Sequence, residues 1–332
     1  MNIQPRRGIL AGTVAMALGA AASCAHAQAA ASTNWPDRAI RFVVPVGAGG
    51  NMDNVARVLA EKMHHELGQP IIVENKPGAS NIIGGDFVAK SPPDGYNVLV
   101  TGVGGRAILS ALPDKIPYDP EKDLVPVGRA VKVPQVIVVP SRLKVSTLPE
   151  FVAYAKAQPR GVNLASLGMT SLTQVVAELF KRDTGIPMVS IPYRSGPAGV
   201  MAMLAGDADF MVADAAVVMP SVLARKLVAL AVPGAQRVPE LPDVPTTAEA
   251  GYPHAVVESS YGLYVPTGTP REVILRLNRA MRNALDQPDV RRTLTQTYVV
   301  PAPNSPEEFE AQLARTTTQL RPIARELGFS LK

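Results

Sequence analysis

Cysteine is almost missing from this chain, with one residue in 332, and tryptophan also occurs once; histidine is limited to four positions and aromatic residues to 5%. The one cysteine, Cys24, sits in a stretch read below as a removable leader. Disulfides, thiolate zinc sites and cysteine nucleophiles are therefore excluded for the rest of the chain. Long apolar runs are lacking too: the stretch from Gly8 to Ala22 is too short for a membrane span, and nothing after it comes near that length. Scattered basic residues and few aromatics exclude the basic, aromatic-interleaved stripe of a nucleic-acid binder.

Residues 1–27 have the layout of an export signal. Arg6 and Arg7 stand without an acidic neighbour, the apolar stretch follows, and Ala25-His26-Ala27 forms a small-x-small cleavage site. The arginine pair suits the folded-export route as well as an ordinary leader. A lipid anchor on Cys24 is the other option, but Ala21-Ala22-Ser23 lacks the leucine usual three positions upstream, so cleavage near Ala27 is preferred. The expected product is soluble and periplasmic, with 31 basic against 28 acidic residues, a net charge of +3, and three histidines, His64, His65 and His254. Its length, about 305 residues, suits two domains.

Short β-rich runs then alternate with helical patterns, punctuated by Gly, Pro, Asn and Ser. Ile40–Val44, Ile71–Glu74 and Val98–Thr101 read as strands, with helices over 53–67 and 82–89 between them. This βαβαβ order predicts a parallel sheet flanked by helices. A proline-rich passage from Pro113 to Pro126 leads to the run Val136–Pro140, where the chain is expected to cross into a second domain. There the order repeats: strands near 162–165, 188–191, 210–212 and 227–232, with helices near 148–157, 171–182 and 198–204. Thr147 to Glu150 and Ser305 to Glu308 have the spacing of capping boxes. The helices over 271–285 and from 305 to Gly328 are expected to pack back onto the first domain.

Three connections could carry chemistry. The first, Pro45-Val-Gly-Ala-Gly-Gly-Asn51, joins a strand to a helix, where unpaired N–H groups and the positive helix end favour an anion. A dinucleotide fingerprint starting at Gly47 fails at Met52, a Gly-Lys-Ser/Thr phosphate loop is absent, and plain turn chemistry remains an alternative. The second, Ala165 to Ser171, is of the same kind, with Ser166, Thr170 and Ser171 offering hydroxyls or simply capping the next helix. Two such loops on opposite lobes make a cleft able to hold a carboxylate. The third, Thr101 to Arg106, points to the same edge, and Arg106 is a candidate for a second carboxylate or a solvated arginine. Asp214 is placed to accept from a ligand hydroxyl or ammonium, or to cap the helix after it.

Catalytic groups are poorly arranged. His64 and His65 project about 100° apart on one helix and cannot share a metal. His254 has no triad pattern around it, and Gly-x-Ser-x-Gly is missing. No cofactor and no metal is expected.

Many separate pieces of the chain are those of one family. Trp35-Pro-Asp-Arg-Ala-Ile40, Gly68-Gln-Pro70, Val73-Glu-Asn-Lys-Pro-Gly78, Pro93-Asp-Gly-Tyr96, Pro117-Tyr-Asp-Pro120, Ala177-Glu-Leu-Phe180, Ile191-Pro-Tyr193, Leu241-Pro-Asp-Val-Pro-Thr246, Ala248-Glu-Ala-Gly251 and Pro266-Thr-Gly-Thr-Pro270 follow in order. Over nearly its whole mature length the chain resembles the periplasmic solute-binding proteins of tripartite tricarboxylate transporters, the Bug-type receptors. The resemblance implies an α/β type II periplasmic binding fold, each lobe a mostly parallel sheet flanked by helices, with lobe 1 over 34–132 plus 255–332 and lobe 2 over 133–254. It implies a monomeric, non-enzymatic receptor for a small organic acid that serves two integral membrane subunits; a ligand-sensing receptor, and further off an NAD-dependent or hydrolytic enzyme, are the alternatives. It places Ala48, Gly49, Gly50, Ser166, Gly168 and Ser171 at carboxylate-binding positions, and Asp53 as an acid that fixes the first loop.

The departures from the family pattern bear on substrate. An aromatic and a proline are replaced by Val46 and Ala48, Gly-Thr by Asn51-Met52, and Thr-His by Gly105-Arg106. Gln174 stands where histidine is frequent, an Asp-Asn pair falls on Ala213-Asp214, and the tryptophan before Tyr261 is Ser260. Together they imply a less aromatic, more cationic pocket, with Arg106 favouring a di- or tricarboxylate.

Overall fold

Glycine and serine stops divide the chain into short elements, and the computed structural model describes them over residues 34–112, 115–168, 171–239 and 241–328. The expected leader, with Arg6, Arg7, Cys24 and Ala27, lies outside the described residues. The regular elements fall within one unit, Arg38–Lys332.

The first set is β1 (Ile40–Val44), α1 (Asn51–Leu67), β2 (Ile71–Asn75), α2 (Ile82–Ala89), β3 (Asn97–Gly102), α3 (Val103–Leu109) and β4 (Leu124–Lys132). The second is β5 (Gln135–Pro140), α4 (Leu148–Lys156), β6 (Val162–Ser166), α5 (Leu172–Thr184), β7 (Met188–Pro192), α6 (Gly196–Ala205), β8 (Phe210–Asp214), α7 (Ala215–Leu223) and β9 (Leu227–Ala231). The chain then returns through β10 (Ser260–Pro266), α8 (Arg271–Asp286), α9 (Pro288–Gln296), β11 (Val300–Pro301) and α10 (Pro306–Glu326).

Local chemistry sets the element ends. Gly68, at φ 74°, closes α1 in the left-handed conformation that glycine adopts without steric cost. Ser305 and Glu308 form a complete capping box with Pro306 at the first helical position of α10. At α4 only half the expected box forms: Thr147 accepts from the Glu150 N–H, but the Glu150 carboxylate accepts from Ser146, one residue before the cap.

The strands build two sheets, in the orders β11-β4-β10-β3-β1-β2 and β7-β6-β8-β5-β9. In each, three parallel strands are followed by an antiparallel one, β10 or β5, and then by another running with the first three. The antiparallel strand is in each case the one formed as the chain enters that sheet from the other. The crossing segments lie side by side, Val133 N–H donating to the Ser259 carbonyl at 2.9 Å. This is the two-lobed α/β architecture expected from the sequence.

Each sheet buries its own aromatics: Tyr264 against Phe309 in the first lobe, Phe151 against Phe210 in the second. The last helix does more than pack onto the first sheet. Leu320 and Ala324 near its end, with Ala107, Ile108 and Ala111 of α3, join the apolar cluster that contains Leu172, Val176 and Phe180 of α5. Arg182 of α5 pairs with Glu326 at 3.3 Å. The chain thus links the lobes at a third place besides the two crossing segments.

Candidate ligand-binding cleft

The carboxyl ends of the strands in both sheets carry the loops singled out in the sequence, and those ends face each other. Two contacts show this: Leu172 of α5 covers Gly104 of α3 so closely that a Cβ on the glycine would lie 2.7 Å from Leu172 Cδ1, and Tyr261 of β10 reaches Asp214 of β8.

In the first loop, residues 47–50 are exposed and lead into α1, whose N-cap, Gly50, supplies no side-chain cap. The first-turn N–H groups of this 17-residue helix therefore present a positive helix end at the cleft. The loop is rigidly held from behind by Asp53, whose side chain is 2% exposed. Asp53 Oδ2 accepts from the Gly49 N–H at 2.8 Å and from Arg57 Nε at 3.0 Å, and Oδ1 accepts from Asn75 Nδ2 at 2.9 Å. Asn75 also donates to the Val46 carbonyl. Burial alone would raise the Asp53 pKa, but the hydrogen bonds from Arg57, Gly49 and Asn75 and the Arg57 charge together hold it below the usual aspartate value. Asp53 thus acts through the loop, as the family resemblance implies. Its oxygens are engaged.

The second loop is held in the same manner. Ser166 is buried; its hydroxyl donates to Gln174 Oε1 at 2.6 Å and accepts from the Gly168 N–H at 3.0 Å. Ser171 caps α5 by accepting from the Gln174 N–H and donates to the Gly168 carbonyl. Gln174 Nε2 in turn donates to Glu178 and to Ser190 of β7. The glutamine at a position where the family often has histidine is therefore the organiser of this loop, a role that no local spacing marks.

The third loop requires a correction. Gly102 ends β3 and α3 begins at once at Val103, so Gly105 lies within a helix and Arg106 is turned into the lobe. Arg106 is buried: Nε donates to the Pro120 carbonyl at 2.6 Å, Nη2 faces the Glu121 and Leu124 carbonyls at 3.4 and 3.3 Å, and the guanidinium lies 5.5 Å from the Tyr264 ring centre. It ties the 120–124 segment to the helix and does not reach a second carboxylate in the cleft. The pocket is correspondingly not made more cationic by this residue. Ser260 is likewise buried, accepting from Gln312 of α10. Gly105 remains at the edge of the cleft, with only Asn81 within 4 Å of where a Cβ would stand.

Asp214 is the N-cap residue of α7 but makes no side-chain cap bond. Instead it accepts from the Tyr261 hydroxyl at 2.9 Å. Burial pushes its pKa up, opposed by hydrogen bonding from Tyr261, Gln135 and Asn51. Asn51, Gln135 and Tyr261 were not singled out as site residues in the sequence. The available signals were the replacement of the family's glycine by Asn51 and one polar residue opening the apolar run that starts at Val136.

The histidines stand apart from this cleft. His64 Nδ1 contacts the Glu61 carbonyl, and exposed His254 is paired with Asp183 at 2.8 Å. Among the described residues, no group of histidine, cysteine and acidic side chains is arranged to hold a metal, and no helix is long and apolar enough to cross a membrane.

Comparison with known proteins places the chain among relatives over most of its length. Protein BugT of Bordetella pertussis is 35% identical over 300 residues, which cover 90% of this chain and 92% of the relative. The structure of MatC from Rhodopseudomonas palustris with bound malate superposes with a TM-score of 0.79 at 30% identity, covering 87% of this chain and all of that one. A second R. palustris protein, solved with adipate, gives 0.81 at 28%, covering 88% of this chain and 97% of the other. Residues 55–329 match the family described as "Tripartite tricarboxylate transporter family receptor". The chain belongs to that family of solute-binding receptors, which bind their ligands rather than transform them.

Proposed function

We propose that the chain is an exported periplasmic receptor that captures a small dicarboxylate or tricarboxylate between its lobes and hands it, as a monomer, to two integral membrane subunits. The observation that carries this reading is the pair of pre-ordered loops. The Gly49 N–H is engaged by Asp53 and the Gly168 N–H by Ser166, with Ser171 bonded to the Gly168 carbonyl, so both loops are held in shape with no ligand required to order them. Ala48 and Gly50 beside the ordered Gly49, with the positive end of α1, would take one face of a carboxylate, and the loop shaped by Ser166, Gly168 and Ser171 would close on the other. With Arg106 turned inward, the preference for more than one carboxylate rests on the two related structures solved with malate and adipate.

A thermal-shift panel of mono-, di- and tricarboxylates on the mature protein tests this. At a hundredfold excess over its dissociation constant the right ligand stabilises the receptor by about 2.7 kcal/mol, which a melt resolves. Stabilisation by no acid in the panel would sink the proposal, and stabilisation by monocarboxylates alone would remove the dicarboxylate preference.

A further inference from the structure

One face of the second sheet is roofed by α6 and α7, whose inner residues Val200, Met203, Val218 and Met219 pack onto the strands. Helices at a protein surface ordinarily turn a polar side to water, as α8 does with Arg279, Arg282 and Asn283. These two do not. Helix α6, from Gly196 to Ala205, has no polar side chain, and α7 has one, Ser221. Their outer sides repeat the same spacing, i, i+4, i+7: exposed Pro197, Met201 and Leu204 on α6, and half-buried Ala216 with exposed Pro220 and Leu223 on α7. Met201 is 64% exposed and Leu223 70%. The stripes are neighbours, since a Cβ on Gly196 at the start of α6 would lie 2.8 Å from Val217 Cγ1 of α7. Single exposed apolar residues are ordinary, whereas two adjoining stripes without a charge between them make a surface suited to being covered.

Size, charge and position say what covers it. Six side chains are few against the roughly 20–30 residues a side of a standard stable interface, so the face is too small for a permanent dimer. A bilayer surface is not matched either, because a helix lying in one sets a strongly basic side against its apolar side, and neither α6 nor α7 has a charged residue. A short apolar protein segment that docks and leaves does fit. Both helices follow the carboxyl ends of strands, β7 and β8, and Asp214 at the head of α7 accepts from Tyr261 of the other lobe. A partner seated here therefore touches the rim of the cleft from which a captured solute must depart. Arg225 and Lys226, exposed just past α7, give the face a positive border that acidic residues in the partner would complement. We propose that the α6–α7 face is the docking surface for an apolar, acid-flanked periplasmic segment of an integral membrane subunit of the transporter. This rests on the delivery reading above and names the surface that delivery uses.

The test is light-driven cross-linking of the full mature chain in membranes of its native host, with benzoylphenylalanine placed in turn at Ala205, beside the α6 stripe, and at Leu275, an exposed apolar site on α8 of the first lobe. Products are identified by mass spectrometry. The expected result is a product with a multi-spanning transporter subunit that is about fivefold or more stronger from position 205 than from 275. Met201→Glu combined with Leu223→Glu should cut that product about fivefold or more and leave the melting curve in place, as substitutions at exposed sites do; Met201→Gln with Leu223→Gln replaces the pair if the melt moves. A subunit product as strong from position 275, or one unchanged in the variants, would overturn the surface and leave the delivery reading intact, and so would a product only with a second copy of this chain or with lipid. No membrane-subunit product from either position would overturn the surface and delivery together, while carboxylate capture is judged separately by the thermal-shift panel.

Discussion

Asp53 does for the first loop what a ligand would otherwise have to do. Its two oxygens tie Gly49 to α1 and to Asn75 at the end of β2, so the glycine at φ 82° is held before any anion arrives. An uncharged amide cannot accept from Gly49, Arg57 and Asn75 together, so Asp53→Asn should lower stability by about 1–3 kcal/mol at neutral pH. The sign of its pH dependence follows from the lowered pKa. A carboxyl that ionises more easily when folded contributes stability above the ordinary aspartate pKa of about 3.9, and that contribution fades as pH falls through the lower folded value. Melting curves of wild type and variant should therefore be well separated at pH 7 and converge below about pH 4. A constant gap across that window would show that the carboxylate charge is not what holds the loop.

Helix α3 shows how an element can redirect a residue. Read as a loop, the segment after β3 offers Arg106 to the cleft; as a helix beginning at Val103 it buries Arg106 with Ala107 and brings Gly104 beneath Leu172. The Leu172 side chain stands 2.7 to 3.0 Å from a Cβ at position 104, so the whole end of the leucine must move if one is added. Gly104→Ala should cost about 1–3 kcal/mol in the melt of the empty protein, where the contact is already made, and weaken ligand affinity by roughly tenfold by disturbing this approach of the lobes. An unchanged dissociation constant would mean that the contact plays no part in capture. The same element marks the limit of the sequence. Strands that are mostly apolar, such as β1 and β8, and helices with marked ends, such as α1 and α10, were legible. Strand β4 was not, because Pro126, Gly128, Arg129 and Lys132 interrupt its pattern; the Arg129 side chain bonds to Ala302, Glu258 and Gln312, more than 100 residues away in sequence. The cleft was legible as two glycine and serine loops, whereas the Asn51–Asp214 meeting depends on how two sheets face and has no local trace.

At the scale of the whole molecule the two lobes are alike in sheet order but not in how their strands are drawn from the chain. The second sheet takes all its strands from one continuous stretch, β5 to β9. The first has β10 between β3 and β4, and β10 is encoded after the entire second lobe. Closing that long connection costs entropy that only β10 pairing and its buried face can offset. Pulse-labelled hydrogen exchange during refolding should accordingly find amides of β6 and β8 protected before those of β3 and β4; simultaneous protection would contradict this. There is a consequence for a nascent chain. Strands β1, β2 and β3 can pair among themselves, but β3 and β4 have no strand between them until residue 266 has been made, so the first sheet cannot be completed until most of the chain is synthesised. A sheet that closes late leaves its first strands threadable for longer, which is what a narrow translocation channel would require of any chain exported unfolded.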